Sequence, residues 1–475
     1  MAIDPEARRR QIRRERIVLG TILGLVVIAS AALIGWQAYM GHEIAATPFI
    51  PRKGKLTPQA ELLQQYIRID TSHQNEIDGA RWIGQQLDRA HIPYEIFEPA
   101  PGRANVYARI RGKRRGEGLM LVSHIDVISA SPRGWTRAPF SGDLHLNQIW
   151  GRGALDMKSI TICQLEAFIA VARGGRQPER DIVLLAVADE ETGSANGMRW
   201  IVEHRPDIVE GVRYALNEGG VTETLNEQVT YFGIEIGTKQ VIALDLHAAS
   251  REQLQQARIA LEPWFSPTDA DEVLPEVARY FHAIAPFRFE PRRELEDLPR
   301  TVKTGQLWKL PKAYRELTQN VVWASTIRKD GDGWAMRTTL FNLPNVDGAS
   351  RIDWLRGKVT PFGVTLGTIH ANDPVARLSS DHSPLFALIA EEVRRQYDVD
   401  VGTQILTKSI NDSRFLRPLG ILCYGMWPFP VDYYQTQGIH GIDERVRLDW
   451  FQDGVEMTKK IVSRYAFDPK AAGES

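Results

Sequence analysis

At 475 residues, with 43% hydrophobic and 25% charged side chains, the chain has the composition of a globular protein too long for one ordinary core, so two or three folded units are expected. A formal net charge of -1 supplies no broad basic field and argues against nucleic acid as a partner. The two cysteines, Cys163 and Cys423, form neither a CxxC pair nor a disulfide framework and read as packing residues.

Residues 1–16 carry Arg8, Arg9, Arg10, Arg13, Arg14 and Arg16, and residues 17–41 carry no charge. That uncharged run is long enough at helical rise to cross roughly 30 Å of hydrocarbon. It predicts one N-terminal transmembrane helix, with the arginine-rich tail cytoplasmic and the rest of the chain extracytoplasmic. A cleaved signal peptide is the competing reading, although the apolar run exceeds the usual core of roughly 7 to 15 residues. Residues 42–56, with Pro48, Pro51 and Gly54, read as a linker.

From Thr57 a helical pattern runs through LLQQYIRID and IDGARWIGQQLDRA, followed by the strand-like runs YEIFE, NVYARI and GLMLVSH. A helix is expected from Met157 to Arg173, then the strand DIVLLAVAD, a helix around MRWIVEH and the strand VRYALNE. Strands that are apolar throughout and alternate with helices predict an α/β unit with a mainly parallel sheet covered on both faces. Residues 57–240 form its first part. Residues 241–367 change character and predict a smaller inserted α+β unit, a lid or dimerisation domain. Residues 368–468 resume the first unit with the helix PLFALIAEEVRRQY, the strand GILCYGMWPF and the helix DWFQDGVEMTKKIVSRYAF, leaving 469–475 as a tail.

Several metal-ligand-type side chains follow these strands: His124 after LMLVS, Glu190 and Glu191 after DIVLLAVAD, and Glu218 after YALN. In open α/β sheets such strand ends share one edge, where sites form. Asp156 in GRGALDMKS reads either as a helix cap or as a carboxylate between two cations, and Asp126 stands two residues after His124, placed to fix its tautomer. Neighbouring carboxylates leaving a strand point in different directions, so one of Glu190 and Glu191 can bind metal while the other moves protons.

SHIDV, GRGALDMK, DEETGS, NEGG and GIHGIDE, in that order, resemble the motif series of the M20 metallopeptidases, a family that includes aminoacylases, carboxypeptidase S-like enzymes and N-acyl-amino-acid hydrolases. The resemblance covers residues 57 to about 240 and 370 to 468 and implies a dinuclear-zinc exopeptidase fold. It implies that Asp156 bridges two zinc ions, with His124 and Glu218 completing one site and Glu191 and His440 the other. Cobalt and manganese are alternatives, because mixed His/carboxylate sets accept several such ions. Glu190 would be the general base and acid, Asp126 would support His124, and the Asp156–Met157 peptide would be cis. NDSRFL resembles the family's TDSR segment, which makes Arg414 a candidate to hold a substrate carboxylate; a surface salt bridge is the alternative.

The inserted unit departs from the pattern. DLHAAS supplies His247 where relatives carry a GGHSS-like segment whose histidine helps hold the reacting carbonyl oxygen, and WAMRTTLFNLP lacks the expected NV pair. The expected activity is metal-dependent hydrolysis of an amide bond beside a free carboxylate, on N-acyl amino acids or small peptides, with a homodimer through the lid. An exported dipeptidase or carboxypeptidase and a non-catalytic membrane-tethered binding protein are the rival readings.

Overall fold

The structure, a computed structural model, describes residues 56–472 except 226–227, 266–272, 288–290, 345, 407–409, 432–435 and 437. The expected transmembrane helix at 17–41 and its flanks lie outside these residues. Among the described residues no helix is long and apolar enough to cross a membrane.

The large sheet is mixed rather than mainly parallel. Its centre places Arg180–Val187, Arg114–His124, Val212–Asn217 and Leu422–Gly425 side by side, all parallel. Beyond this centre, Glu95–Ala100 and Arg103–Ile110 add antiparallel strands on one side. On the other side Gln228–Thr238 runs antiparallel to Leu422–Gly425 and parallel to the edge strand Val401–Leu406. The strand Gln228–Thr238 has no counterpart among the strands expected from the sequence.

The period of two that strands impose on side chains explains the two covers. Leu119, Leu121, Ile182, Leu184 and Leu216 face one core, and Met120, Val122, Val183, Leu185 and Ala215 face the other. The first core is deep, roofed by the helices Pro58–Ile67, Lys158–Ala172, Pro384–Tyr397 and Leu448–Phe467. Lys158–Ala172 is buried nearly all round, which is why its sequence reads as apolar without a polar face. The second core is thinner and covered by short helices, Met198–His204 and Ser413–Leu416. Cys163 and Cys423 are buried and unpaired, as packing residues should be.

A second sheet, entirely antiparallel, orders Val321–Ala324, Gly333–Asn342, Gln240–Ala248 and Thr365–Asn372. The helices Arg251–Phe265 and Gly348–Val359 cover one of its faces. The stretch between its strands behaves differently from the sequence expectation. Leu274, Val277, Phe281, Leu298, Leu307 and Leu317 pack into the core of the large sheet, and the helix Pro275–Ile284 lies against Val401–Leu406. The two chain crossings between the sheets are tied together: the Asp373 amide donates to the Val241 carbonyl at 3.0 Å, and Gln240 Nε2 donates to the Asp373 carbonyl at 2.9 Å.

On the uncovered face of the smaller sheet, Asp245 accepts from Arg337 Nε at 3.0 Å and contacts His370 Nε2 at 2.7 Å. Burial opposes its charge, but Arg337 and His370 outweigh it and hold the carboxyl down at about 2. A carboxylate whose pKa is lowered by folding stabilises the fold above its ordinary pKa and loses that contribution as pH falls through the folded value. Asp245→Asn should therefore cost about 2 kcal/mol at pH 7. In urea titrations the gap between the two proteins should close as pH falls from about 4 toward about 2; a gap independent of pH would contradict the assignment.

Candidate dinuclear metal centre

Parallel register delivers the site. His124 ends its strand opposite Val187, three residues before Glu190, while Leu121 pairs with Leu216, two residues before Glu218. Gly425 pairs with Asn217, so the chain leaving that strand toward His440 starts from the same edge. Glu218 sits at a turn completed by Gly219 and Gly220 at φ +115° and +75°. A side chain at Gly220 would collide with the carbonyl oxygens of Gly233 and Gly425, so strand packing as well as conformation demands glycine there. Glu190 and Glu191 open a short 3-10 turn entered through Asp189 at φ +66°.

The five ligand-type residues of the sequence reading converge in two groups that share Asp156: His124, Asp156 and Glu218, and Asp156, Glu191 and His440. The two oxygens of Asp156 serve different groups. Its Oδ1 lies 3.0 Å from His124 Nε2 and its Oδ2 3.1 Å from His440 Nε2. His124 Nε2 is 3.7 Å from Glu218 Oε1, and His440 Nε2 is 3.0 Å from Glu191 Oε2. Two ligands held about 2.1 Å from one tetrahedral ion stand about 3.4 Å apart, so these separations fit a cation in each group. Asp156 does not cap a helix: the following helix starts at Lys158 with Met157 at its N-cap position. The Asp156–Met157 peptide is cis.

Electrostatics point the same way. Carboxylates this close repel one another unless cations or protons separate them. Burial, with the Asp156 charge beside it, pushes Glu218 up to about 8. Hydrogen bonds to Asp156 and Glu191 carry His440 up to about 10. Burial opposes charge on His124, yet Glu218 and Asp156 overcome it and raise its pKa. With both imidazoles neutral the set carries three negative charges and suits two divalent ions.

Glu190 is buried beside this cluster. Burial first, then the charges of Asp412 and Glu218, push it well above the usual carboxylate range, with Arg414 opposing. Arg414 is almost wholly buried. Its Nη1 donates to Glu190 Oε1 at 3.3 Å and its Nε lies 3.5 Å from Asp373 Oδ1, with the side chain only 4% exposed. Of the two sequence readings of Arg414, the surface salt bridge gives way to a buried pair with Glu190. Asp126 reaches His124 through two atoms. Its main-chain carbonyl lies 2.8 Å from His124 Nδ1 and its Oδ1 3.7 Å from the same nitrogen. The carboxylate also accepts from the amides of Glu190 at 3.1 Å and Glu191 at 3.0 Å, fixing the turn that presents both acids. His247 is not brought to the centre: it lies at the end of the strand Gln240–Ala248, 3.1 Å from Asp330, and lines a separate hollow with Trp334 and Thr365.

Glu235 and Glu444 are among the buried carboxylates that the sequence pattern does not single out. Glu235, fully buried, accepts from Arg417 Nη2 at 2.7 Å and from Asn411 Nδ2 at 3.2 Å, while Asn411 also donates to the Glu218 carbonyl at 3.0 Å. An acid inside the apolar run FGIEIG was its signal. Glu444 lies four residues beyond His440 and beneath the Asp156 loop.

The centre opens into a cavity of about 670 Å³. Asp156, Glu190, Glu191, Glu218 and His440 line one side of it, and Val221, Ile410, Trp427 and Ile439 contribute an apolar wall.

Comparison with known proteins agrees with this class of site. The profile of peptidase family M20/M25/M40 matches residues 120–464, and the chain belongs to that family. It is 32% identical over 135 residues to a probable succinyl-diaminopimelate desuccinylase of Staphylococcus aureus, a stretch covering 28% of this chain and 32% of the relative. It is 31% identical over 173 residues to aminoacylase-1 of Sus scrofa, covering 35% of this chain and 42% of that protein. The matched stretches thus span about a third to two fifths of the length of these relatives. An M20 family metallo-carboxypeptidase of Sulfolobus solfataricus shares the fold, with a TM-score of 0.68 at 17% identity over 86% of this chain and 99% of that one.

Because the metal-free centre holds protons that cations must displace, zinc uptake at pH 7 should release protons, and affinity should rise with pH. Calorimetric titrations in two buffers of different ionisation enthalpy read the released protons directly. Heats that do not depend on the buffer would contradict the proposed ligand set.

Proposed function

We propose that the chain is a two-cation hydrolase that cleaves the amide bond of N-acyl amino acids or small peptides. The observation that carries this reading is the shared carboxylate: Asp156 offers one oxygen to each of two histidine-and-carboxylate groups, with the buried Glu190 beside them. Two divalent ions, zinc by expectation and cobalt or manganese by chemistry, would supply Lewis acidity and an activated water when bound. His124 and Glu218 would hold one, Glu191 and His440 the other, and Asp156 both.

Glu190 does the proton work. Arg414 engages its Oε1, which leaves Oε2 to take a proton from the attacking water and pass it to the departing nitrogen. Its burial favours the protonated form, which suits a group that must carry the proton between the two steps. Asp126 keeps the turn in place through the two amides it accepts. The apolar wall of the cavity favours an acyl chain or an apolar side chain over a charged group. An exported dipeptidase or carboxypeptidase is the alternative.

The deciding experiment assays wild-type protein and Glu190→Gln on long-chain N-acyl amino acids, short dipeptides and the carboxamide form of each. Glu190→Gln should retain metal and lose about 10²- to 10⁴-fold in kcat. The acyl amino acids should be turned over faster than the dipeptides. The carboxamides separate recognition of the amide from recognition of a free carboxylate, the role that Arg414 was expected to fill. Undiminished turnover by Glu190→Gln would refute its role.

We also propose, from the uncharged residues 17–41 and the arginines before them, that the chain is anchored in a membrane with the hydrolase on the extracytoplasmic side. Full-length protein should sediment with membranes until detergent is added. Recovery in the soluble fraction without detergent would overturn the anchor.

A further inference from the structure

We propose that Glu444 is a positioning residue for the two-cation centre, holding the Asp156 loop and the His440 loop in one fixed relation. The inference rests on the dinuclear reading above and goes beyond the ligand set. Glu444 is fully buried, and each of its two oxygens accepts two hydrogen bonds. Oε1 takes the amides of Leu155 at 2.8 Å and of Asp156 itself at 3.0 Å. Oε2 takes the Gly153 amide at 3.0 Å and Arg152 Nη1 at 2.6 Å.

The same arginine completes the clamp, because its Nη2 donates to the Gly441 carbonyl, next to His440, at 2.7 Å. The Gly151 amide donates to the Glu444 main-chain carbonyl at 2.9 Å. Asp156 and His440, ligands far apart in the chain, are thus tied through one carboxylate and one guanidinium. No metal ligand's side chain is used in the tie.

Four donors converge on Glu444, and only an ionised carboxylate can accept all of them. Glutamine has the same shape but would turn an NH2 group toward two of the donors. Those donors would be left facing another donor in a buried site, and the loop that aims both oxygens of Asp156 would shift to relieve them. A displacement of a few tenths of an ångström there changes both cation sites, and loss of such outer partners typically weakens metal binding about 10- to 100-fold.

The test is a calorimetric zinc titration of metal-free wild-type and Glu444→Gln protein, with thermal melts of both metal-free proteins and kcat and KM measured at limiting and at excess zinc. The expected result is two ions in each protein, with the weaker one bound about 10- to 100-fold less tightly in the variant. The variant's kcat should be low at limiting zinc and recover in excess zinc, with KM unchanged. A folded variant that melts earlier but binds both ions with wild-type affinity would overturn the proposal and make Glu444 a strut of the fold alone. Should Glu444→Gln fail to fold, Arg152→Lys decides. It keeps a cation beside Glu444 and loses the Gly441 contact, so it should weaken zinc binding; unchanged affinity would overturn the clamp. Wild-type protein that takes up fewer than two ions contradicts the dinuclear reading itself, an outcome separate from either variant's behaviour.

Discussion

The carboxylate of Asp156 faces two ways, and much of the surrounding structure follows from what that requires. One oxygen lies near His124 and Glu218, the other near Glu191 and His440, all within a few ångströms in a largely buried pocket. A buried cluster of like charges is unstable unless it is neutralised, so these residues make physical sense together with cations between them. The residues behind them serve to keep that arrangement from relaxing. Asp126 pins the turn bearing Glu190 and Glu191, Asn411 and Glu235 brace the Glu218 turn, and Glu444 with Arg152 braces Asp156 and His440.

The sheet supplies the coarse placement and these polar braces supply the fine placement. Four parallel strands end at one edge, which brings the acids and imidazoles within reach of each other but does not fix their orientation. Orientation comes from buried hydrogen bonds that join distant parts of the chain, from the Asp156 amide to Glu444 and from Asn411 to the Glu218 carbonyl. Arg414 extends the same logic to Glu190. It joins Glu190 to Asp373, which lies where the smaller sheet rejoins the larger one.

The amino-acid sequence made the central strands legible because they are apolar on both faces, and it made His124, Glu191 and Glu218 legible because each follows such a strand, whereas His440 was legible only through the motif series and Asp156 through its Gly-rich turn. It did not reveal Gln228–Thr238, whose acid Glu235 breaks the apolar run yet is buried against Arg417. Nor did it reveal that residues between the strands of the smaller sheet pack into the larger core, since Pro- and charge-rich stretches give no period from which a partner can be read. A motif names a residue but not which of its atoms makes the contact: at Asp126 the main-chain carbonyl is nearer His124 than the carboxylate, and Arg414 is buried against Glu190 rather than paired at the surface. The segment around His247 matches the family pattern only loosely, and its strand carries His247 to Asp330.

Anomalous diffraction at the zinc edge, from crystals of the metal-loaded protein, tests the shared carboxylate most directly. Two peaks about 3.5–4 Å apart are predicted, one bonded to His124 and Glu218, the other to Glu191 and His440, with Asp156 bonded to both. A single peak, or a pair with Asp156 bonded to only one, would contradict the account.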